Sequence, residues 1–270
     1  MSAPVGRMNE VAWCPGCGNF NILKVLNAAI AETGLDRRKL VLVSGIGQAA
    51  KLPHYSDAHV FNGLHGRALP AATGIKLANH ALEVIVTSGD GDMYGEGGNH
   101  FLHALRRNIG VKCFVHNNQV YGLTKGQASP TSDPGFVTKL QPHGVISVPV
   151  NPLALAIVEN GAWVARSSAV VPEHLQRMMV AAIRHRGFAL LDILQPCVTF
   201  NRVNTWPWYQ QRVRELPADY DPTDRARALA TAFQWGEQIP IGIIYRCERK
   251  TFEEQQPALA KGPLALGYGK

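Results

Sequence analysis

Four short apolar runs constrain this chain more than anything else in it: KLVLVSG (39–45), LEVIVTSG (82–89), VKCFVHNN (111–118) and FALLDIL (188–194). They are near-continuous rather than alternating, which is how a strand buried on both faces reads. Helix-patterned segments lie between them. Leu23, Leu26 and Ile30 share one face of a segment stopped at Gly34, a glycine helix cap. An Ala-rich stretch over 67–82 carries Pro70 in its first turn. HFLHALRRN places Leu102, Leu105 and Ile109 at helical spacing, with a helix beginning near Asn99. WVARS (163–167) adds a strand and PEHLQRMMVAAIRHRG (172–187) another helix. Strand, helix, strand with buried strands predicts an α/β fold: a parallel sheet covered by helices on both faces. Residues 201–270 differ, being Trp- and Pro-rich with one helical segment in DRARALATAFQWG. No internal repeat or low-complexity linker intervenes. The chain reads as one domain, its residues 1–200 carrying the alternation and 201–270 forming an irregular C-terminal wrapping tail.

Composition removes several classes of function. Hydrophobic residues make up 46% and charged residues 17%, an ordinary globular balance. No apolar run approaches the ~18 residues of a membrane span. MSAPVGRMNEVAW lacks the apolar core of an export signal, so the expected compartment is cytoplasmic. The net charge is +7, but Lys and Arg are scattered in pairs such as Arg37-Arg38 and Arg106-Arg107. No basic block or nucleic-acid motif appears; a phosphate groove or a face for an acidic protein accounts for the charge as well. Five cysteines in a chain without an export signal argue against disulfides and make clustered cysteines candidate metal ligands. Cys14 and Cys17, in WCPGCGN, are clustered.

The second apolar run ends in Gly89-Asp90-Gly91-Asp92. Gly and Asp are common turn residues, and a solvated turn would carry them too. In a parallel sheet, however, ligands bind in the crevice at the carboxyl ends of the strands. NNQVYG ends the next strand, with Asn118 following Asp90 by 28 residues, enough for one crossover helix and a return strand. A carboxylate, an amide oxygen and a nearby carbonyl make an all-oxygen half-shell suited to Mg²⁺ when phosphates and water complete it. The glycines allow backbone N–H groups to close on a diphosphate, and a helix N-terminus adds positive potential.

GDG followed by NN resembles the binding motif of thiamine diphosphate enzymes, in which the matching positions Asp90, Asn118 and the Val120 carbonyl ligate Mg²⁺. The resemblance tightens along the chain. WCPGCG, SGIG, LHGRALPAATGIKLAN, GDGD…GGNHFLHALRRN and NNQVYGLTKGQASPTS follow in the order found in β subunits of 2-oxoacid:ferredoxin oxidoreductases, including the 2-oxoglutarate synthase branch. It covers roughly residues 10–200 and extends loosely into IPIGIIY (239–245). It implies a thiamine diphosphate-binding fold and oxidative decarboxylation of a 2-oxoacid, 2-oxoglutarate ahead of pyruvate. Coenzyme A would take the acyl group and ferredoxin the electrons through an iron–sulfur cluster, with CO₂ fixation as the reverse. A partner α subunit would bring the Glu that activates thiamine, in an αβ or (αβ)₂ assembly. Carried over by position, Gly47, His65, Gly89, Asp90, Gly91, Asp92, Asn118, Val120, Gly122, Leu123 and Thr124 contact the cofactor. Lys51, His65 and Arg67 are the catalytic or substrate-facing candidates, and the loop around Lys125 is long enough to close over the site.

The same resemblance puts cluster ligands at Cys14, Cys17 and Cys197, the last in QPCVTFN. A third family cysteine follows SGIG, where this chain has Gln48. Glutamine is a poor iron ligand, because soft thiolates select iron–sulfur clusters. Three outcomes stay open: a three-iron cluster (3Fe-4S), a four-iron cluster (4Fe-4S) with a non-cysteine ligand, or none. His54 is near enough in sequence to substitute, though a surface or core histidine reads as well. Zinc on CPGC would also lack a fourth ligand. Cys113 reads as a small core residue and Cys247 as structural. Two other functions compete: a non-oxidative thiamine diphosphate-dependent decarboxylase subunit, which Gln48 keeps open, and a basic nucleotide- or nucleic-acid-binding domain. The last leaves the Asp90/Asn118 pairing and the matching cysteines unexplained.

Overall fold

The apolar runs become the centre of one sheet. In the computed structural model, which describes residues 10–267, β1 (Leu40–Ser44), β3 (Glu83–Gly89), β4 (Val111–Asn117), β7 (Trp163–Ser168) and β8 (Ala189–Leu194) lie parallel, with β2 (His59–Asn62) along the β1 edge. Beyond β7 come β10 (Ile239–Arg246), antiparallel to it, and β9 (Val213–Glu215), giving the order β2-β1-β3-β4-β8-β7-β10-β9.

Strand side chains alternate between faces, and each face has its own helices. Leu40 and Leu42 of β1, Ile85, Phe114 and Leu191 pack under α1 (Asn19–Thr33) and α5 (Pro172–Arg184). Val41 and Val43, with Val84, Val86, Val115 and Leu190, meet α2 (Ala68–Ala78), α3 (Gly98–Arg107) and α4 (Pro152–Val158) on the other side. Gly34 closes α1 in the left-handed conformation, φ 68°. Cys113 is fully buried in the second of these cores, as expected of a core thiol.

Several elements differ from the sequence reading. Helix α3 buries Phe101, Ala104 and Leu105 rather than Leu102, and Ile109 packs only after the left-handed Asn108 has ended the helix. Helices α2 and α5 stop short of residues 82 and 187. The polar segment after Asn118 folds into a two-stranded hairpin, β5 (Val120–Tyr121) and β6 (Gln127–Ala128). The tail supplies α6 (Trp206–Arg212) and α7 (Arg225–Ala232) and, through β9 and β10, two strands of the main sheet. Pro240 and Gly242 disguise β10, since both residues argue against a strand interior. The first nine residues, on which the export-signal reading partly rests, lie outside the described residues. Among the described residues no helix is long and apolar enough to cross a membrane.

Candidate active site

Adjacent parallel pairing of β3 and β4 sets Gly89 against His116, so the residues after each strand emerge side by side at the carboxyl edge. The Asn118 N–H donates to Asp90 Oδ1 at 3.4 Å. Asn118 Oδ1 in turn accepts from the Val120 N–H at 3.1 Å across Gln119, whose φ of 58° makes the turn tight. The β5–β6 hairpin then returns Ser129 and Thr131, whose hydroxyls donate to Asp90 Oδ2 at 2.5 and 2.7 Å. Oδ1 is left with a single long contact, free to face a cation. Asp90 is 1% exposed, and burial pushes its carboxyl up to about 6 although four donors pull the other way.

Asp92 does something else. Its Oδ1 accepts from the N–H groups of Ile46 (3.1 Å) and Gly66 (2.7 Å), and its Oδ2 from the Ser88 hydroxyl (2.6 Å). It ties the turn after β1, the loop before α2 and the end of β3 together. A Cβ on Gly45 would lie 2.0 Å from Asp92 Oδ2, so the first glycine of SGIG exists to admit that carboxylate. Gly91 is required for a similar reason: a Cβ there would meet the Tyr121 ring at 2.2 Å. The helical turn that starts at the site is a π-turn, Gly91–Glu96, and α3 follows it from Gly98, one residue from the start expected near Asn99. Such turns recur at functional sites.

These segments line a cavity of about 70 Å³, open to solvent. Gly47, His65, Gly89, Asp90, Gly91, Asp92, Asn118, Val120, Gly122, Leu123 and Thr124 all line it, joined by Ile46, Gln48, Ala49, Glu96 and Tyr121. Lys51, half-buried on the turn Ala49–Tyr55, is not in the lining, and neither is Arg67, which is exposed and donates to the His65 carbonyl at 3.4 Å. Ser129 and Thr131 escaped the sequence reading because their hydroxyls reach Asp90 only through the hairpin. Tyr121 escaped it because an aromatic after NN carries no signal of its own; its hydroxyl lies 3.2 Å from Glu96 Oε1.

The cysteine segment adjoins this cavity. The Gly18 N–H donates to the Pro196 carbonyl at 3.3 Å, and Gln195 Nε2 to Cys17 Sγ at 3.4 Å, so the CPGC turn is clamped on the segment carrying Cys197. Burial pushes the Cys17 thiol up to about 11, and Cys197 and Cys14 both add to the shift. Cys17 therefore lies within electrostatic reach of both other thiols. Among the described residues, though, no three His, Cys, Asp or Glu side chains converge tightly enough to hold a single metal ion. Gln48 joins the two sites: its carbonyl accepts from Trp13 Nε1 at 2.9 Å, beside Cys14, while its Cγ lies 3.7 Å from where a Cβ on Gly122 would be. Its Oε1 is buried without a partner. His54 is exposed on the turn that follows.

Residues 45–193 match the family model described as thiamine pyrophosphate enzyme, C-terminal TPP binding domain, and residues 197–261 match the model for the C-terminal part of the pyruvate ferredoxin oxidoreductase beta subunit. The chain is 48% identical over 262 residues to the 2-oxoacid:ferredoxin oxidoreductase subunit beta of Saccharolobus solfataricus, covering 91% of this chain and 85% of that one. The chain belongs to the 2-oxoacid:ferredoxin oxidoreductase β subunits. Over 192 residues, 71% of this chain and 52% of the other, it is 47% identical to the 2-oxoglutarate oxidoreductase subunit KorB of Mycobacterium tuberculosis. A solved structure of 2-oxoglutarate:ferredoxin oxidoreductase from Magnetococcus marinus superposes with a TM-score of 0.92 at 36% identity, covering 98% of this chain and 91% of that one. The thiamine pyrophosphate-binding match contains every residue that lines the cavity, and the second match begins at Cys197 and includes β10.

Proposed function

We propose that this β subunit holds Mg²⁺–thiamine diphosphate in the Asp90 cavity and serves the coenzyme A-dependent oxidative decarboxylation of a 2-oxoacid. The observation that carries the reading is the juxtaposition of Asp90 and Asn118 at adjacent strand ends over a glycine-lined cavity. Asp90 Oδ1, Asn118 Oδ1 and the Val120 carbonyl form a hard oxygen set that fits Mg²⁺. When bound, thiamine diphosphate supplies the electron sink for decarboxylation. The chain's own residues bind and orient it. Asp90 would hold the cation and Asn118 shapes the turn, while Gly89, where an added Cβ would meet nothing nearer than Ala49 Cβ at 3.9 Å, leaves room for a diphosphate. His65, in the cavity lining, would meet an anionic substrate, with Lys51 and Arg67, which are not in that lining, adding positive charge.

In the overall reaction the 2-oxoacid loses CO₂, its acyl group passes to coenzyme A, and two electrons leave singly for ferredoxin; run in reverse, the reaction fixes CO₂. Cys14, Cys17 and Cys197 would hold an iron–sulfur cluster as the electron exit. The clamp of the CPGC turn on the segment carrying Cys197 favours that, and a polynuclear cluster spaces its thiolates more widely than a single ion does. With Gln48 directed to the cofactor cavity, three thiolates suit a 3Fe-4S cluster, or a 4Fe-4S cluster with one non-thiolate corner. The 2-oxoglutarate named for the M. tuberculosis and M. marinus proteins makes it the leading substrate, ahead of pyruvate. The remaining parts of the reading are a cytoplasmic αβ or (αβ)₂ enzyme, no nucleic-acid or membrane partner, and a single domain in which 201–270 completes 1–200.

The test is cofactor and iron content in the same preparation, purified without oxygen. Asp90→Ala should lose thiamine diphosphate and keep its iron. Unchanged thiamine diphosphate in that variant would overturn the site; an iron-free wild type that decarboxylates without reducing ferredoxin would favour the non-oxidative reading.

A further inference from the structure

A second cavity, about 230 Å³ and open to solvent, lies between the 148–152 segment and the end of α7, with β7 and β8 beneath it. It shares no lining residue with the cofactor cavity. Arg166 forms part of its floor at 4% exposure. One guanidinium nitrogen, Nη2, donates to the Ala232 carbonyl at 3.3 Å, while Nε and Nη1 have no partner. A guanidinium keeps its charge at physiological pH, and burying donors unpaired carries their full desolvation penalty. The nearest countercharge is Asp192, its register partner across β7 and β8. The Asp192 oxygens are already engaged, by the Tyr94 hydroxyl at 2.9 Å and by Asn117 Nδ2 at 3.2 and 3.3 Å. Asp133, also in the lining, accepts from Trp235 and Asn204. Among the described residues no carboxylate pairs with Arg166. The mouth is apolar, made by Val148, Phe233 and Trp235, and the Trp235 ring stands 5.7 Å from the guanidinium carbon.

We infer that this cavity binds a small organic monoanion, a carboxylate with a compact apolar body, with its head on Arg166 and its body against Val148, Phe233 and Trp235. A single charge is specified because the lining offers one guanidinium, while the two carboxylates, Asp133 and Asp192, have their oxygens on donors of their own. The site is also wired to the cofactor cavity. The Thr131 hydroxyl, which donates to Asp90, lies 2.9 Å from Asn117 Oδ1, and Asn117 holds Asp192.

The experiment is ¹⁹F NMR titration of the full chain with 4-fluorobenzoate, against neutral 4-fluorobenzyl alcohol. Saturable binding of the acid, about tenfold or more tighter than the alcohol, is expected from a charge-assisted contact. Arg166→Gln should erase that preference. Val150→Trp, which fills the cavity and keeps the charge, should abolish binding of both probes and covers the case in which Arg166→Gln does not fold. Equal affinity for acid and alcohol, no saturation, or binding unchanged in Val150→Trp would overturn the inference. So would chloride competing as well as acetate, which makes this an inorganic anion site. Loss of probe binding in the complex with a copurified partner subunit would assign Arg166 to a partner carboxylate and overturn it too.

Discussion

Two aspartates two residues apart have opposite duties, and single substitutions should separate them. Asp92 satisfies two backbone N–H groups and a hydroxyl from three segments. Asp92→Ala leaves those donors buried and unpaired, at ~1–3 kcal/mol each before relaxation, so a loss of about 3 kcal/mol in unfolding free energy is expected. Asp92→Asn should cost about 1 kcal/mol, because the amide oxygen keeps the N–H donors and the Ser88 hydroxyl can turn to accept. Asp90 runs the other way. Its folded-state carboxyl is raised to about 6 by burial, so what it contributes to stability is present when protonated and fades as pH rises through that value. Asp90→Asn should leave the metal-free chain as stable at pH 7 or more so. Denaturant melts of the three variants check this; Asp90→Asn melting earlier than Asp92→Ala would reverse the assignment.

At the scale of elements, the site depends on one hairpin and one unusual turn. The β5–β6 hairpin lays Tyr121 over Gly91 and returns Ser129 and Thr131 to Asp90, while the π-turn starts directly at the cavity. Helix α5 shows how packing on the sheet tunes a titration. Its His174 has Nδ1 2.8 Å from the Ser167 hydroxyl of β7, and burial lowers its pKa to about 4 from 6.5, with Arg177 lowering it further and Glu215 opposing. The unfolded chain binds this proton more readily, so the stability due to neutral His174 is complete above pH 6.5 and is lost as pH falls toward 4. His174→Gln should flatten that part of the stability profile relative to wild type. A pH series of urea melts with parallel wild-type and variant curves between pH 7 and 4 would count against it.

On the scale of the whole molecule, the cofactor crevice sits at the carboxyl edge of β3 and β4, one strand in from β1 and the exposed β2 edge. Among the described residues the carboxylates lining it are Asp90, Asp92 and Glu96. The first two are committed as described, and Glu96 is exposed and bonded by Tyr121. In the proposed function, activation of the aminopyrimidine is left to the α subunit. The purified chain alone should therefore take up thiamine diphosphate with Mg²⁺ yet show no coenzyme A-dependent 2-oxoacid oxidation, which adding the α subunit should restore. Turnover by the homogeneous chain alone would refute this dependence. Apolar residues near the β2 edge, Val60, Phe61 and Leu64, are 46%, 46% and 72% exposed.

Local signals reached as far as their physics is local. Strand runs, glycine stops and the GDG-to-NN interval are set by backbone sterics and by the length of one crossover, so the parallel core and the Asp90/Asn118 pair were legible without coordinates. The structural duty of Asp92 was not legible, because it shares one turn with Asp90 and only the arrival of Gly66 and Ile46 at its carboxylate reveals it. The destination of Gln48 was hidden too: its position in the motif points to the cysteines, whereas its side chain is settled by the closeness of Gly122. Strand β10 was masked by Pro240 and Gly242 and joins the sheet only because β7 offers an open edge. Arg166 lay in plain view within WVARS as one more strand residue. Its unpaired charge and its cavity exist only once β8, the 148–152 segment and α7 close around it, since burial is a property of the packed chain and not of any stretch of it.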